Sequence, residues 1–361
     1  MLRLEPRAQR SRFWGIAAPV LAVALTAIAS ALLLAMLGHS PVDPVFIRPL
    51  TTMRTLPPLF IKASPLILIA VGLCLAFRAN VWNIGAEGQY TIGALAGGAV
   101  ALSVYPGGGP WLLPAMGLAA ILAGAGWAMI PAILRTRFGV SEVLVSLMLS
   151  YVAVLLLSVA LEGRLRDPGG FNFPQSRLLQ PAARMPVLLP GLFAGASANV
   201  HAGFLVAIVA ALAARWALAR HLFGYQLRLI GDAPPAATFA GFSRQRIVWS
   251  SMSVSGALAG LAGVFEAAGP IGQLVPQLPS GYGFTAIIVA LLARLNPLAC
   301  IPAGLLLAFT YLGAEAAQMA FGSPSSVGVV FQGLLLVFVL AADVLASHRP
   351  RWRRAGAAWR F

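Results

Sequence analysis

The sequence predicts an all-α polytopic membrane protein with about ten transmembrane helices and both termini in the cytoplasm. Of its 361 residues, 59% are hydrophobic and only 10% are charged, and the mean hydropathy is +0.86. Soluble domains carry about a quarter charged residues. Long uncharged runs recur between Phe13 and Ala346, and most arginines lie in every second gap between these runs. Because basic residues concentrate in cytoplasmic loops, this alternation also predicts the orientation.

The individual spans follow from the length of each apolar run. A hydrocarbon core about 30 Å thick needs about 20 helical residues per crossing. The first run follows four arginines but is too long for the apolar part of a signal peptide, so we expect it to remain as a helix. The eighth run is too short for an ordinary crossing and could be tilted, broken or continuous with its neighbour. The predicted spans are 13–37, 58–77, 81–104, 111–134, 143–162, 200–219, 248–268, 283–293, 297–319 and 327–346.

We interpret residues 1–361 as one transmembrane domain. Its membrane part, 13–346, is flanked by basic cytoplasmic tails at 1–12 and 347–361, with an outer loop at 163–199 and a cytoplasmic loop at 220–247. The segment after Phe138 also resembles the segment after Gly322. Spans two to five and seven to ten could therefore be internal repeats, as in many transporters, and chance similarity of two apolar segments is an equally open explanation.

One gap between apolar runs contains polar residues, including a glutamate, at membrane depth. A charge at the bilayer centre costs about 2.5–3.5 kcal/mol, and glycine weakens a helix. Broken helices survive in membranes where protein or water satisfies the backbone. The gap therefore predicts a segment that lines a substrate pathway or meets the other repeat; alternatively, it is an inner loop whose glutamate pairs with an arginine. The candidate pathway residues are Asn80, Asn83, Glu87 and Gln89.

Two aromatic residues extend this candidate pathway. Tyr282 and Phe284 begin the short eighth span beside glycines. An aromatic residue at a membrane boundary is usually an interfacial anchor, and the neighbouring glycines leave a gate or a stacking surface as the alternative. Glu266 and Glu315 lie in apolar surroundings, either at helix interfaces or in a functional position. The GxxxG patterns at 93–97 and 256–260 predict close helix packing.

Several classes of chemistry lack support in the sequence. The only lysine is Lys62, so no P-loop lysine exists to bind nucleotide phosphates. The four histidines are scattered without ligand spacing, and no catalytic motif is present, so we expect neither a metal site nor an enzyme. Cys74 and Cys300 are far apart in sequence and are expected to be small buried residues rather than a disulfide. The net charge of +15 fits cytoplasmic loops that contact anionic lipid rather than nucleic acid.

Five segments in order resemble a known family. They are FRANVWNIGAEGQYTIGA (77–94), FGVSEVLVSLMLSYVA (138–153), LRLIGDAPPAATFAGFS (227–243), SGALAGLAGVFEAAG (255–269) and GYGFTAIIVALLARLNPL (281–298). Together they resemble the permeases of ABC importers in the nucleoside and simple-sugar branch, related to the ribose and branched-chain amino-acid permeases. The likeness covers about residues 58–340, whereas the first span and the outer loop match less well.

This resemblance implies the fold, the partners and the location. It implies a helical fold like that of the cobalamin importer, in a multi-pass protein of the bacterial inner membrane. The implied partners are cytoplasmic ABC ATPase subunits, a second permease subunit, here expected to be a paralogue, and an extracytoplasmic substrate-binding protein. The chain itself would hold no cofactor, since ATP and magnesium would bind to the partner ATPase.

The resemblance also assigns a coupling segment to the loop at 220–247. Asp232 before two prolines predicts a helix N-cap, and Gly241 predicts the end of that helix. The family's usual glutamate and asparagine after the glycine are replaced here by Asp232 and Ala233. The residues expected to couple the chain to the ATPase are Gly231, Asp232, Pro234, Ala236, Ala237, Phe239 and Gly241.

These observations favour a transmembrane permease subunit of an ATP-driven importer for nucleosides or related simple sugars. The nearest alternative keeps this machinery and changes the cargo to another sugar, a branched-chain amino acid or a lipophilic acid. A different class is a secondary transporter that uses Glu87 or Glu266 as a proton site.

Overall fold

A computed structural model describes residues 2–6, 12–36, 56–188, 200–321 and 326–352. A described helix overlaps each of the ten predicted spans, and two further helices occupy the loop that follows the sixth span. The described helices are α1 (Arg12–Met36), α2 (Leu56–Arg78), α3 (Ala86–Ser103), α4 (Leu112–Phe138), α5 (Glu142–Glu162), α6 (Gly203–Arg220), α7 (Leu222–Asp232), α8 (Pro234–Phe239), α9 (Arg244–Glu266), α10 (Tyr282–Leu292), α11 (Cys300–Phe321) and α12 (Ser326–Ser347). A 3₁₀ turn covers Pro181–Ala183, and a π-helical turn, Ala267–Ile271, continues α9.

Six of the described helices are long and apolar enough to cross a membrane: α2, α4, α5, α6, α9 with its π-helical turn, and α11. Shorter apolar helical stretches cover Ala17–Leu33, Tyr282–Leu292 and Gly328–Ala342. The protein is therefore a helical, multi-pass membrane protein. The number of ten crossings and the cytoplasmic side of both termini remain predictions.

The chain divides into two compact units. One comprises Met1–Pro49 with Thr310–Phe361, and the other comprises Leu50–Phe309. In the first unit α1 packs against α12, and strand β1 (Leu2–Pro6) pairs antiparallel with strand β2 (His348–Trp352). These strands lie at the predicted basic tails and depart from the all-α prediction outside the membrane helices. The Gly322 segment of the suggested repeat begins outside the described residues, so the repeat stays a prediction.

Helices α2 and α9 form the centre of the larger unit. Most of α2 is buried, as expected for a helix that is apolar on all sides. Helix α9 packs against α2, α3 and α4. A Cβ at Gly93 would lie 2.2 Å from the Cα atom of Gly260, and a Cβ at Gly256 would lie 2.4 Å from the carbonyl oxygen of Gly124. The predicted packing role of the GxxxG patterns is thus confirmed.

The outer loop and the two cysteines also lie in this unit. In the described part of the loop, the amide of Leu179 donates to Gly272 O at 2.8 Å and the amide of Met185 donates to Ala268 O at 2.9 Å. The loop therefore packs on the segment that follows α9. Cys74 and Cys300 are buried free thiols, as predicted, but their Sγ atoms lie only 3.3 Å apart. Their proximity joins α2 to α11 and was not evident from their separation in sequence.

Candidate functional site

The polar gap forms a break between two helices. Helix α2 ends at Arg78 and α3 begins at Ala86, five residues after the start of the predicted span. Asn80 has a left-handed backbone with φ of 54°, and the residues from Val81 to Ile84 are not helical. Residues with poor helix propensity thus lie where the chain leaves the helix, and the freed backbone groups need other partners.

The carboxylate of Glu87 bonds to two backbone amides at the start of another helix, α10. This carboxylate accepts hydrogen bonds from the amide of Gly281 at 2.8 Å and from that of Gly283 at 2.6 Å, and the residue is 3% exposed. Gly281 is the N-cap residue of α10, and Glu87 itself lies in the first turn of α3. The N-terminus of α10 therefore points at this carboxylate, and a helix N-terminus favours negative charge.

The glycines of the Gly281-Tyr282-Gly283 motif make this contact possible. Gly281 is left-handed with φ of 79°. A Cβ at Gly283 would lie 2.2 Å from the amide nitrogen of Glu87, so the two backbones touch. Sequence reasoning recognised flexible glycines beside Tyr282 but did not connect them with Glu87. Glu87 bonds to backbone amides, which does not fit the alternative in which it pairs with an arginine.

Asn83 and Gln89 form a second buried network. Asn83 Nδ2 donates to Gln89 Oε1 at 2.8 Å, and Gln89 Nε2 donates back to Asn83 Oδ1 at 2.9 Å. Asn83 Nδ2 also donates to Ser255 Oγ on α9 at 2.9 Å, and Asn83 Oδ1 accepts from the amide of Gly85 at 3.2 Å. Ser255 directly precedes the GxxxG pattern at 256–260, and nothing in its sequence context indicates this bond.

The two predicted aromatic residues have different environments. Tyr282 is 3% exposed, and its ring meets that of Tyr90 edge-on with the centroids 6.1 Å apart. Phe284 is 37% exposed. The structure thus brings Glu87 to the start of α10 and buries Tyr282 there, while Phe284 reaches the surface of the chain.

Asn80 lies at an exposed junction of three helix ends. Its carbonyl oxygen accepts from Arg135 Nη2 at 3.3 Å, and Arg135 forms an ion pair with Glu142 at 2.5 Å. Glu142 also accepts from the amide of Trp82 at 3.3 Å. The end of α2, the end of α4 and the start of α5 are therefore held together by Arg135 and Glu142, two residues that the sequence did not single out.

The proposed coupling segment forms two helices, α7 and α8, rather than one. Asp232 is the last residue of α7, so its predicted role as an N-cap is wrong. The N-cap of α8 is Ala233, with φ of −145°. A residue before proline is disfavoured in the helical conformation and favours an extended one. Pro234 therefore makes Ala233, rather than Asp232, the N-cap of α8. Gly241 is left-handed with φ of 79° and follows α8, as predicted for its end.

Helix α7 is anchored and α8 carries an exposed aromatic side chain. A Cβ at Gly231 would lie 2.0 Å from the carbonyl oxygen of Arg78, so α7 touches the end of α2. Arg78 Nε donates to Leu295 O at 2.9 Å, which ties the same point to the segment after α10. Ala237 is buried, whereas Phe239 is 95% exposed. The end of α7 thus contacts the end of α2, and Arg78 connects that point with the segment after α10.

Comparison with known proteins identifies similar chains. Residues 58–340 match the family model described as branched-chain amino acid transport system / permease component. This range includes the break before α3, both networks and the segment from α7 to α8. The match therefore covers the candidate site as a whole.

Three curated relatives resemble the chain over most of their lengths. A glucose ABC transporter permease protein from Haloferax volcanii is 37% identical, with 96% of this chain and 93% of the relative aligned. A guanosine ABC transporter permease protein from Bacillus subtilis is 29% identical, with 82% of this chain and 84% of the relative aligned. A nucleoside ABC transporter permease protein from Lactococcus lactis subsp. cremoris is 26% identical, with 92% of this chain and 93% of the relative aligned.

Proposed function

The chain belongs to the family of branched-chain amino acid transport system permease components and is a permease subunit of an ABC transporter, and we propose that its cargo is a nucleoside or a related simple sugar. The relatives named for glucose, guanosine and nucleosides support this cargo. Sugars and nucleosides share a ring with several hydroxyl groups. The 37% identity with the glucose permease, over 96% of this chain, is the observation on which the proposed cargo rests, while the match over 58–340 carries the family membership.

We also propose the energy source and the partners, which the family membership supports. We expect ATP and magnesium to bind to a separate cytoplasmic ATPase. An extracytoplasmic binding protein would deliver the cargo, and a paralogous second permease would complete the pathway. The location we propose is a bacterial inner membrane, with the α7–α8 segment facing the ATPase.

The candidate pathway residues fall into two groups. Asn83, Glu87, Gln89 and Tyr282 are buried, and the first three hold the helix breaks through internal hydrogen bonds. Asn80 and Phe284 are exposed and could contact cargo without a rearrangement. We propose that Phe284 contributes to the wall of the pathway and that the buried group fixes the position of α10. Cargo would reach the buried group only if the break between α2 and α3 and its contact with the start of α10 open during transport.

The cargo is tested by uptake into vesicles reconstituted with the partner subunits and screened over nucleosides, glucose and pentoses. ATP-dependent uptake of one of these is the expected result. Uptake confined to branched-chain amino acids would contradict the proposed cargo. Uptake that persists without the ATPase and collapses with the proton gradient would favour a secondary transporter instead.

The coupling role of α8 is tested at its exposed aromatic residue. Phe239→Ala should leave folding intact, because the side chain is 95% exposed, while it uncouples ATP hydrolysis from uptake. Leu222→Ala is the matched control, since Leu222 is an apolar residue of α7 that is 60% exposed. Normal coupling in Phe239→Ala, or an equal loss in both variants, would reject this role for α8.

A further inference from the structure

A pocket of about 660 Å³ lies at one end of three membrane-spanning helices. Its lining includes Arg135 near the end of α4, Ser141 and Glu142 at the start of α5, and Arg244 and Gln245 at the start of α9. The spans Leu112–Phe138, Glu142–Glu162 and Arg244–Ile271 all end or begin here. The pocket therefore lies at the depth where a membrane-spanning helix emerges from the hydrocarbon core, which is the depth of lipid headgroups.

The charge of the pocket favours an anion. Arg135 is paired with Glu142, but Arg244 forms no ion pair within the described part of the chain, so the lining keeps one uncompensated positive charge. Two helices also begin at the pocket, and the N-terminus of a helix attracts negative charge. Ser141, the N-cap of α5, makes no side-chain capping bond. Ser243 caps α9 by accepting from the amide of Arg246, so a phosphate group would meet the guanidinium of Arg244 and the uncapped N-terminus of α5.

Apolar side chains beside the pocket indicate which kind of phosphate would bind. Phe138 is 70% exposed and Leu144 is 60% exposed, and these residues flank the lining segment in the chain. Val140, which lines the pocket itself, is 39% exposed. A free phosphate would not use this apolar surface, whereas acyl chains would cover it. Basic pockets between membrane helices are a known form of site for anionic lipid headgroups.

We propose that this pocket binds the headgroup of an anionic phospholipid, with Arg244 as its principal charged contact. The bound lipid would link the ends of α4, α5 and α9 at the membrane surface. The pocket adjoins the break after α2, because Arg135 and Glu142 bond to Asn80 and Trp82. It includes neither Glu87 nor Asn83, and the proposal does not depend on the cargo.

The test compares lipid association between the full-length protein and two single variants. Each would be reconstituted in phosphatidylcholine membranes with spin-labelled phosphatidylglycerol, and the relative association constant would be measured. Arg244→Gln should lower it about five-fold, the effect of one basic residue near an anionic headgroup. Arg246→Gln is the matched control, because Arg246 is also exposed and lies two residues further along α9, on another side of the helix. Arg244→Lys should retain most of the association.

Three results would overturn the proposal. Equal losses in Arg244→Gln and Arg246→Gln would indicate general surface attraction rather than a site. Inorganic phosphate that competes as well as phosphatidylglycerol, at constant ionic strength, would indicate a site for a free anion. Unchanged lipid association in Arg244→Gln with weakened binding of the ATPase would make the pocket a protein interface. Thermal unfolding of all variants should match the wild type, since both arginines are exposed.

Discussion

Glu87 shows how one residue can have a structural role where its sequence context favoured a functional one. A carboxylate in an apolar run predicted a substrate pathway, because such a residue is costly in a membrane. The structure instead satisfies Glu87 with the amides of Gly281 and Gly283. The cost of burying a carboxylate is thereby offset by hydrogen bonds to the N-terminus of α10. Contact with cargo remains a proposal for this residue.

Glu87→Ala should lower the thermal stability of the protein in detergent. The change leaves two buried amides without their acceptor, and each such group costs about 1–3 kcal/mol. Glu162→Ala is the control, because Glu162 is exposed and should not affect unfolding. If Glu87→Ala abolishes uptake at unchanged stability, the pathway role is favoured over the structural one.

Gly283→Ala should prevent stable folding. The added methyl would lie 2.2 Å from the backbone of Glu87, and neither backbone can yield without separating α3 from α10. Gly126→Ala is the control, since a Cβ at Gly126 meets nothing within 4 Å and alanine favours the helix. Folding of both variants is measured as the yield of monodisperse protein after size-exclusion chromatography. Wild-type yield of Gly283→Ala would contradict the close approach of α10.

At the scale of elements, buried polar side chains connect helices that also pack through glycines. Glycine contacts bring α3 and α9 together at Gly93 and Gly260. Asn83 then bonds across to Ser255 on α9 and to Gln89 on α3. Packing of small residues brings the helices close, while directional hydrogen bonds select one register between them.

A double-mutant cycle on Asn83→Ala and Ser255→Ala should detect this link. We expect a coupling energy of about 0.5–2 kcal/mol, because the two side chains share one buried hydrogen bond. Chemical unfolding in mixed micelles gives the four stabilities. The control cycle uses Ser251→Ala in place of Ser255→Ala, because the Ser251 hydroxyl donates to a carbonyl of its own helix at 3.1 Å. Additive effects for Asn83 and Ser255 would argue against the link.

At the scale of the whole molecule, the proposed coupling role requires that the α7–α8 segment and the outer loop face opposite sides of the membrane. The alternation of arginines predicts this arrangement. Exposed sites exist in both regions: Phe239 is 95% exposed and Phe171 is 93% exposed. The two natural cysteines are buried, which keeps the labelling background low.

Cysteine labelling in spheroplasts should separate the two sites. Phe171→Cys should react with an impermeant maleimide in intact spheroplasts, whereas Phe239→Cys should react only after the membrane is opened. The unmodified protein, with only Cys74 and Cys300, provides the blank. Labelling of Phe239→Cys in intact spheroplasts would reverse the orientation and exclude contact of α8 with a cytoplasmic ATPase.

The class of protein, the approximate positions of the apolar helices and the family could all be predicted from the sequence. Each depends on properties carried by local segments: the length of an apolar run, the placement of arginines, and motifs at 77–94, 138–153 and 227–243. The end of α8 at Gly241 was also predictable, because glycine readily adopts the left-handed backbone found there.

Only the tertiary structure decided what the polar residues of the break bond to. Glu87 and Gly283 are separated by nearly two hundred residues, and no local pattern encodes that two helix N-termini meet. The same holds for Asn83 with Ser255 and for the two thiols. The N-cap prediction for Asp232 is wrong for a local reason, because the residue directly before the two prolines, Ala233, is the cap. Long-range partners are set by how the helices pack, and packing depends on the shapes of all contacting faces at once.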